Sequence, residues 1–292
     1  MAGGVGRLLG METAAGNDDA RPIGVFDSGL GGLTVVRELT RVLPGEDIIY
    51  LGDSARVPYG IKSLETVRRF ALQCAAFLTQ HKPKLIVVAC NTASAAAMTE
   101  LEAFCDAPVV DVIRPGAAAA VAATDGPIGV IGTEATIASG AYERAIKSAS
   151  PGRAVFAAAC PLLVPIIEEG RPGDDPIVLS VLTDYLHDLQ RRRLGALILG
   201  CTHYPLLSTA IGKLMGPDVA LVNSGAAAAA VVADLLAADA SAPRAGDTSR
   251  LRCYTTDNAE RFAALGRRFA GRAIGCVEHV DSDKLEARAI SG

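Results

Sequence analysis

Two apolar runs in this chain stop on a cysteine: LIVVAC, ending at Cys90, and ALILGC, ending at Cys201. Neither alternates apolar with polar residues, so each is predicted as a strand buried on both faces, the pattern of a parallel sheet covered by helices. In open parallel sheets ligands sit just beyond the carboxyl ends of the strands. Both thiols fall there, each followed by short polar residues: Asn91 and Thr92 after Cys90, Thr202 and His203 after Cys201.

The rest of the chain follows the same pattern. Strands are predicted at Ile23–Asp27, Ile48–Leu51, Leu85–Cys90, Val109–Ile113, Ile128–Ile131, Ala154–Ala158, Ala196–Cys201, Val219–Val222, Leu251–Thr255 and Gly275–His279. Amphipathic stretches separate them; Leu64, Val67, Ala71, Cys74 and Leu78 share one face of a helix predicted over Ser63–His81. Strand and helix in alternation give an α/β fold with parallel sheets. A second duplication strengthens the first: PIGVFDSG at Pro22 is echoed by PIGVIGTEAT at Pro127, at nearly the separation of the two cysteine runs. Two pseudo-symmetric α/β domains are therefore expected, each with a mainly parallel sheet flanked by helices, the active site lying in the interdomain cleft.

DVIRPGAAAA near Arg114 and VNSGAAAAA near Asn223 are the expected crossings, which makes 22–115 with 224–292 the first domain and 116–223 the second. Alanine is the strongest helix former, so the tracts Ala117–Ala123 and Ala226–Ala230 are read as helices at a tight hinge. Residues 1–21 have no signal-peptide core and are expected to form a flexible extension, with Met11 as an alternative start.

At 292 residues the chain is long enough for two such cores. Its 28 basic and 32 acidic residues leave a net charge of −4, which draws neither nucleic acid nor an anionic membrane. No apolar stretch escapes Gly, Pro and charge for long enough to cross a bilayer. The seven cysteines are odd in number, scattered and never in C-x-x-C pairs, which argues against a disulfide framework and a zinc ribbon and for reduced thiols in the cytoplasm. No cluster has metal-ligand spacing, and no metal is expected.

Two nucleophile-grade side chains at equivalent positions of two half-molecules suit a reaction with two-sided symmetry, of which exchanging the proton at a stereocentre is the simplest. Removing the α-proton of an amino acid needs a desolvated, well-placed base with electrostatic support. One thiolate takes the proton from one face while the other thiol donates from the opposite face. An isolated cysteine is more often a small buried hydrophobe. The matched pair with its polar sequel singles out Cys90 and Cys201, and leaves Cys74, Cys105, Cys160, Cys253 and Cys276 to core packing.

Asp27 and Ser28 open the glycine turn VFDSGLGG, which lacks the Lys-Ser/Thr of a P-loop and the spacing of a dinucleotide fingerprint. Asp27 belongs beside a thiol or a substrate ammonium, or else caps a helix. In GDSARVPYG, Pro58-Tyr59-Gly60 makes either a rigid loop offering backbone donors and a phenol to a ligand or a plain turn. Thr133 and Thr136 hold the corresponding place in the second half, to bind a carboxylate or cap the next helix. His203 adjoins a candidate thiol; His81, His187 and His279 read as surface residues. Pyridoxal phosphate would need a Schiff-base lysine beside a phosphate cup, which no lysine here provides, so no cofactor is expected.

DSGLGG, GDSARVPYG, VVACNTAS, GVIGTEAT, CPLLVPIIEEG and LGCTHYP, in this order over about residues 22–280, resemble the glutamate racemases of the cofactor-independent aspartate/glutamate racemase family. The resemblance implies interconversion of L- and D-glutamate without a cofactor, the D form supplying peptidoglycan and so cell-wall biogenesis and cell shape. It implies that Cys90 and Cys201 are the acid/base thiols, assisted by Asp27 and His203 respectively. Asp27, Ser28, Tyr59, Gly60, Asn91, Thr92, Thr133, Thr136, Glu168, Thr202 and His203 match substrate-binding positions, Glu168 with Glu169 beside it. Glutamate is the expected partner, nucleic acid and membrane are not, and a homodimer is allowed. Two other readings stay open: an aspartate or other two-cysteine racemase, and a non-catalytic binding protein for an acidic amino acid.

Overall fold

The computed structural model describes residues 19–238 and 250–285. Along the chain run β1 (Ile23–Asp27), β2 (Ile48–Gly52), β3 (Leu85–Val88), β4 (Val109–Asp111), β5 (Ile128–Gly132), β6 (Val155–Ala159), β7 (Ala196–Gly200), β8 (Ala220–Asn223), β9 (Leu251–Thr255) and β10 (Val277–His279). The helices are α1 (Leu33–Val42), α2 (Leu64–Thr79), α3 (Asn91–Phe104), α4 (Ile113–Ala123), α5 (Glu134–Ala138), α6 (Ala141–Ala149), α7 (Leu163–Glu168), α8 (Pro176–Gln190), α9 (Ser208–Met215), α10 (Ser224–Ala238) and α11 (Ala259–Ala270). One sheet has the order β10-β9-β2-β1-β3-β4 and the other β6-β5-β7-β8, with every pairing parallel. Strands β1, β2, β5 and β7 are buried along their whole length, as strands covered on both faces must be.

All ten predicted strands form; three end early, β7 by one residue at Gly200, and β3 and β4 for local reasons. β3 stops at Val88 because Cys90 turns to open α3. β4 stops at Asp111, whose Oδ1 accepts from the N–H groups of Ile113 at 2.6 Å and Arg114 at 2.8 Å, so that the predicted strand end becomes the first turn of α4. The helix predicted over Ser63–His81 runs Leu64–Thr79 behind Ser63, which caps it through Thr66 N–H at 3.2 Å. His81, expected at the surface, is half-buried: its ring lies 5.1 Å from Phe77 and 5.5 Å from Tyr254. Cys276 is exposed rather than packed in a core. Residues 1–18, including Met11, lie outside the described residues; the last part of the expected flexible extension is tied down, since buried Lys84 donates to the Asp19 carbonyl at 2.9 Å and pairs with Glu46 at 2.6 Å.

Both alanine tracts are helical and lie where the chain passes between the sheets, in α4 after β4 and in α10 after β8. Helix α10 packs on α1 and α4. One apolar core spans both halves, joining Val25, Leu33 and Phe262 to Leu163, Leu182 and Leu199. A second core lies under α2 and α3, and a third under α4 and α6. No described helix is long and apolar enough to cross a membrane.

The carboxyl ends of the two sheets meet at a close contact. Thr34 Oγ1 donates across it to the Thr202 carbonyl at 2.8 Å. A Cβ on Gly31 would stand 2.1 Å from Thr202 Oγ1 and 2.5 Å from His203 Nδ1, so only glycine allows this approach. Gly31→Ala is therefore expected to force the halves apart and lower stability by about 1–3 kcal/mol, the usual range for overpacking. Urea unfolding checks this, and an unchanged midpoint would show that the contact yields without cost.

Candidate active site

Cys90 stands where β3 gives way to α3. Its backbone is extended, at φ −70° and ψ 118°, and its Sγ accepts from Ala93 N–H at 3.5 Å, which makes the thiol the N-cap of α3. The cap engages one of the amides that every helix start leaves open. Burial pushes the Cys90 thiol up to about 12, and the Asp27 carboxylate adds to the rise against the opposing contacts of Ala93 and Ser28. Asp27 closes β1, is buried, and accepts from Gly29 N–H at 3.0 Å. Burial raises its carboxyl, while the charge of His203 and the amides of Gly32, Gly29 and Ser28 draw it back. Capping is not its role, because Gly32 opens α1 without a side-chain cap.

Cys201 follows β7 directly. His203 Nδ1 lies 3.9 Å from Cys201 Sγ, and His203 Nε2 lies 2.9 Å from Glu168 Oε1, giving a chain of thiol, imidazole and carboxylate. Burial by itself would lower His203, but its bonds to Cys201 and Glu168 outweigh burial and hold the imidazole at about 10. Burial would raise Glu168, and the bond and charge of His203, with Arg261, keep it below its ordinary value. His203 is thus cationic at neutral pH. The two thiols occupy matching turns with opposite electrostatic partners, a carboxylate beside Cys90 and an imidazolium beside Cys201.

Both thiols open on one cavity of about 330 Å³, at the small end of the range for ligand sites. Ser28, Tyr59, Gly60, Asn91 and Thr92 line it from one sheet's side, and Thr133, Glu168, Thr202 and His203 from the other's. The described lining includes no lysine or arginine, so an anionic ligand would be held by amides, hydroxyls, the start of α3 and the His203 imidazolium. Thr92, Thr133 and Thr136 form a hydroxyl triangle with separations of 3.0, 3.2 and 2.9 Å. Thr133 also caps α5 by accepting from Thr136 N–H at 3.3 Å, so both roles read for it from sequence are compatible. A Cβ on Gly60 would lie 2.7 Å from Thr133 Cβ, which explains glycine where the two walls close together.

Three of the residues singled out in the sequence stand differently from the rest. Asp27 and Thr136 lie behind the lining, Asp27 against Cys90 and Thr136 against Thr92 and Thr133. Tyr59 lines the cavity, but its hydroxyl is turned away and donates to Asp53, so the phenol is not offered to a ligand.

Sequence reasoning missed the group that holds this loop. Asp53, wholly buried, accepts from Tyr59, from Arg56 Nε at 2.7 Å and from Thr256 Oγ1 at 3.0 Å. Ala55 N–H donates to Thr256 Oγ1 at 2.9 Å, so the loop is pinned to the end of β9. The local signal was an Asp and an Arg three apart in GDSAR; the partner just past β9, Thr256, is about two hundred residues away. Also missed were Tyr142, which bonds Asn91, and the apolar wall of Val57, Pro161, Val164 and Pro165.

The sequence profile of the Asp/Glu/Hydantoin racemase family matches residues 23–232. A glutamate racemase from Geobacter metallireducens is 46% identical over 261 residues, covering 89% of this chain and 96% of that one. The crystal structure of a glutamate racemase from Bacillus anthracis superposes with a TM-score of 0.85 at 40% identity, over 89% of this chain and 97% of that one. Glutamate racemase from Francisella tularensis, solved in complex with D-glutamate, gives a TM-score of 0.84 at 40% identity, over 91% and 99% of the two chains. With a profile matched across both sheets and relatives alike over nearly their full length, this chain belongs to the Asp/Glu/Hydantoin racemase family.

Proposed function

We propose that this protein is a glutamate racemase of the cytoplasm, interconverting L- and D-glutamate by two-base proton transfer at Cα and supplying D-glutamate for peptidoglycan. The observation that carries this reading is that one thiol from each sheet opens on a single small cavity walled by hydroxyls and amides. On this reading the sheets form two domains, 22–115 with 224–292 and 116–223, and the cavity is the cleft between them.

In one direction Cys201 takes the Cα proton as a thiolate, its negative charge balanced by the His203 imidazolium that Glu168 orients. Cys90, which burial keeps protonated, gives its proton to the opposite face of the carbanion. The reverse reaction exchanges these roles. Asp27 acts on Cys90 through the field of its carboxylate, while Ser28, Gly60, Asn91, Thr92, Thr133 and Thr202 hold the ammonium and carboxylates of the substrate from the cavity wall. Thr136 supports this wall from behind, and Tyr59 contributes by shaping the loop.

In D₂O, L-glutamate is expected to gain deuterium at Cα as it inverts, with no cofactor added. Cys90→Ser and Cys201→Ser are each expected to lose about 10²–10⁴-fold in racemisation, the scale of a general acid–base contribution. NMR and circular dichroism read the two events; glutamate left inert while another acid exchanges would overturn the substrate assignment, and full activity in either variant would overturn the two-thiol reading.

The raised His203 gives a pH signature. Its value lies near 10 in the folded protein and 6.5 in the ordinary state, so its stabilising contribution is complete below pH 6.5 and is lost as pH rises through about 10. The stability gap between wild type and His203→Asn is expected to be widest at pH 6 and to close above pH 10, as measured by urea unfolding across that range. A gap independent of pH would argue against a cationic His203.

A further inference from the structure

Asn91 is the first residue of α3 and follows Cys90, and its side chain is held from the opposite half of the molecule. Tyr142, buried at the start of α6, donates from its hydroxyl to Asn91 Oδ1 at 2.6 Å. The Tyr142 ring also lies against the strand that carries the second thiol: a Cβ on Gly200, the residue before Cys201, would stand 3.0 Å from Tyr142 Cε2. One side chain thus touches both thiol-bearing turns. The other end of the Asn91 amide is unsatisfied, since Nδ2 is buried and has no hydrogen-bond partner among the described residues. Asn91 lines the cavity.

A carboxamide presents an acceptor at one end and a donor at the other, and its orientation is set by whatever bonds it. With Oδ1 engaged by Tyr142, the donor end is the free one. A buried amide N–H without a partner costs about 1–3 kcal/mol, and that cost is recovered when a ligand acceptor arrives. In a cavity whose described lining has no lysine or arginine, such a donor at the start of α3 matches a carboxylate.

We propose that Tyr142 is a positioning residue: it locks the Asn91 amide so that Nδ2 is offered to a carboxylate of the substrate, and so couples substrate binding to the register of the two halves. This rests on the glutamate racemase reading and extends it to a residue outside the cavity lining. The bond acts on binding more than on the proton transfers, because neither thiol depends on it for its acid–base partner.

The test is Tyr142→Phe, which removes only the hydroxyl. KM for both enantiomers and the D-glutamate Kd by titration calorimetry are expected to rise roughly tenfold, equivalent to about 1.4 kcal/mol, with kcat changed much less. In an Asn91→Ala background the same substitution is expected to have no further effect, because the group through which it acts is gone. Asn91→Asp, which keeps an acceptor for Tyr142 but replaces the Nδ2 donor with an oxygen, is expected to lose D-glutamate binding while its far-ultraviolet circular dichroism stays that of the wild-type fold. Wild-type KM and Kd in Tyr142→Phe, equal effects of that change with and without Asn91, or wild-type binding by Asn91→Asp would each overturn the assignment. Wild-type protein that neither binds nor racemises glutamate would overturn the functional reading and this assignment with it.

Discussion

A parallel strand that stops and turns into a helix leaves a row of backbone amides without partners, and the site depends on where that happens twice. At the end of β3 the Cys90 sulfur takes up one of those amides; just past β7 the Cys201 turn faces it from the second sheet. Because all pairings within each sheet are parallel, every strand of a sheet delivers its carboxyl end to the same edge. The glycine turn after β1, the loop after β2 and the threonines after β5 therefore converge on the thiols without any of them being near in sequence.

Convergence alone would leave two chemically equal thiols, and the structure makes them unequal. Cys90 is desolvated beside an acid, Cys201 beside a cation that is itself held by Glu168. A proton-exchange pair benefits from this inequality, since one member must hold a proton while the other lacks it. Apart from the His203 imidazolium, the surrounding wall meets negative charge with hydroxyls and amides rather than with lysine or arginine.

The halves are registered by contacts that leave almost no slack. Gly31 against Thr202 and His203, Thr34 bonded to the Thr202 carbonyl, Gly60 against Thr133 and Tyr142 bonded to Asn91 all span the two sides of the cavity. Each is close to a thiol-bearing turn or a threonine of the wall, so small displacements between the sheets are felt at the site. The buried Asp53 group does the same for the loop that carries Tyr59 and Gly60, binding it to the end of β9.

The sequence by itself determined the strands, their parallel pairing and the prominence of Cys90 and Cys201, because uniform apolar runs and a duplicated polar sequel are local signals that burial on both faces requires. It also marked the glycine turn and the threonine turn as corresponding places in the two halves, through the echo of PIGVFDSG in PIGVIGTEAT. Only the tertiary structure decided which way side chains point and who partners whom. The Tyr59 hydroxyl faces Asp53 instead of the cavity, Asp27 stands behind Cys90, His81 packs against Phe77 and Tyr254, and Tyr142 reaches across to Asn91. The reason is physical: strand propensity and helix periodicity are set by neighbours along the chain, whereas hydrogen bonds and desolvation depend on groups brought together over tens to hundreds of residues.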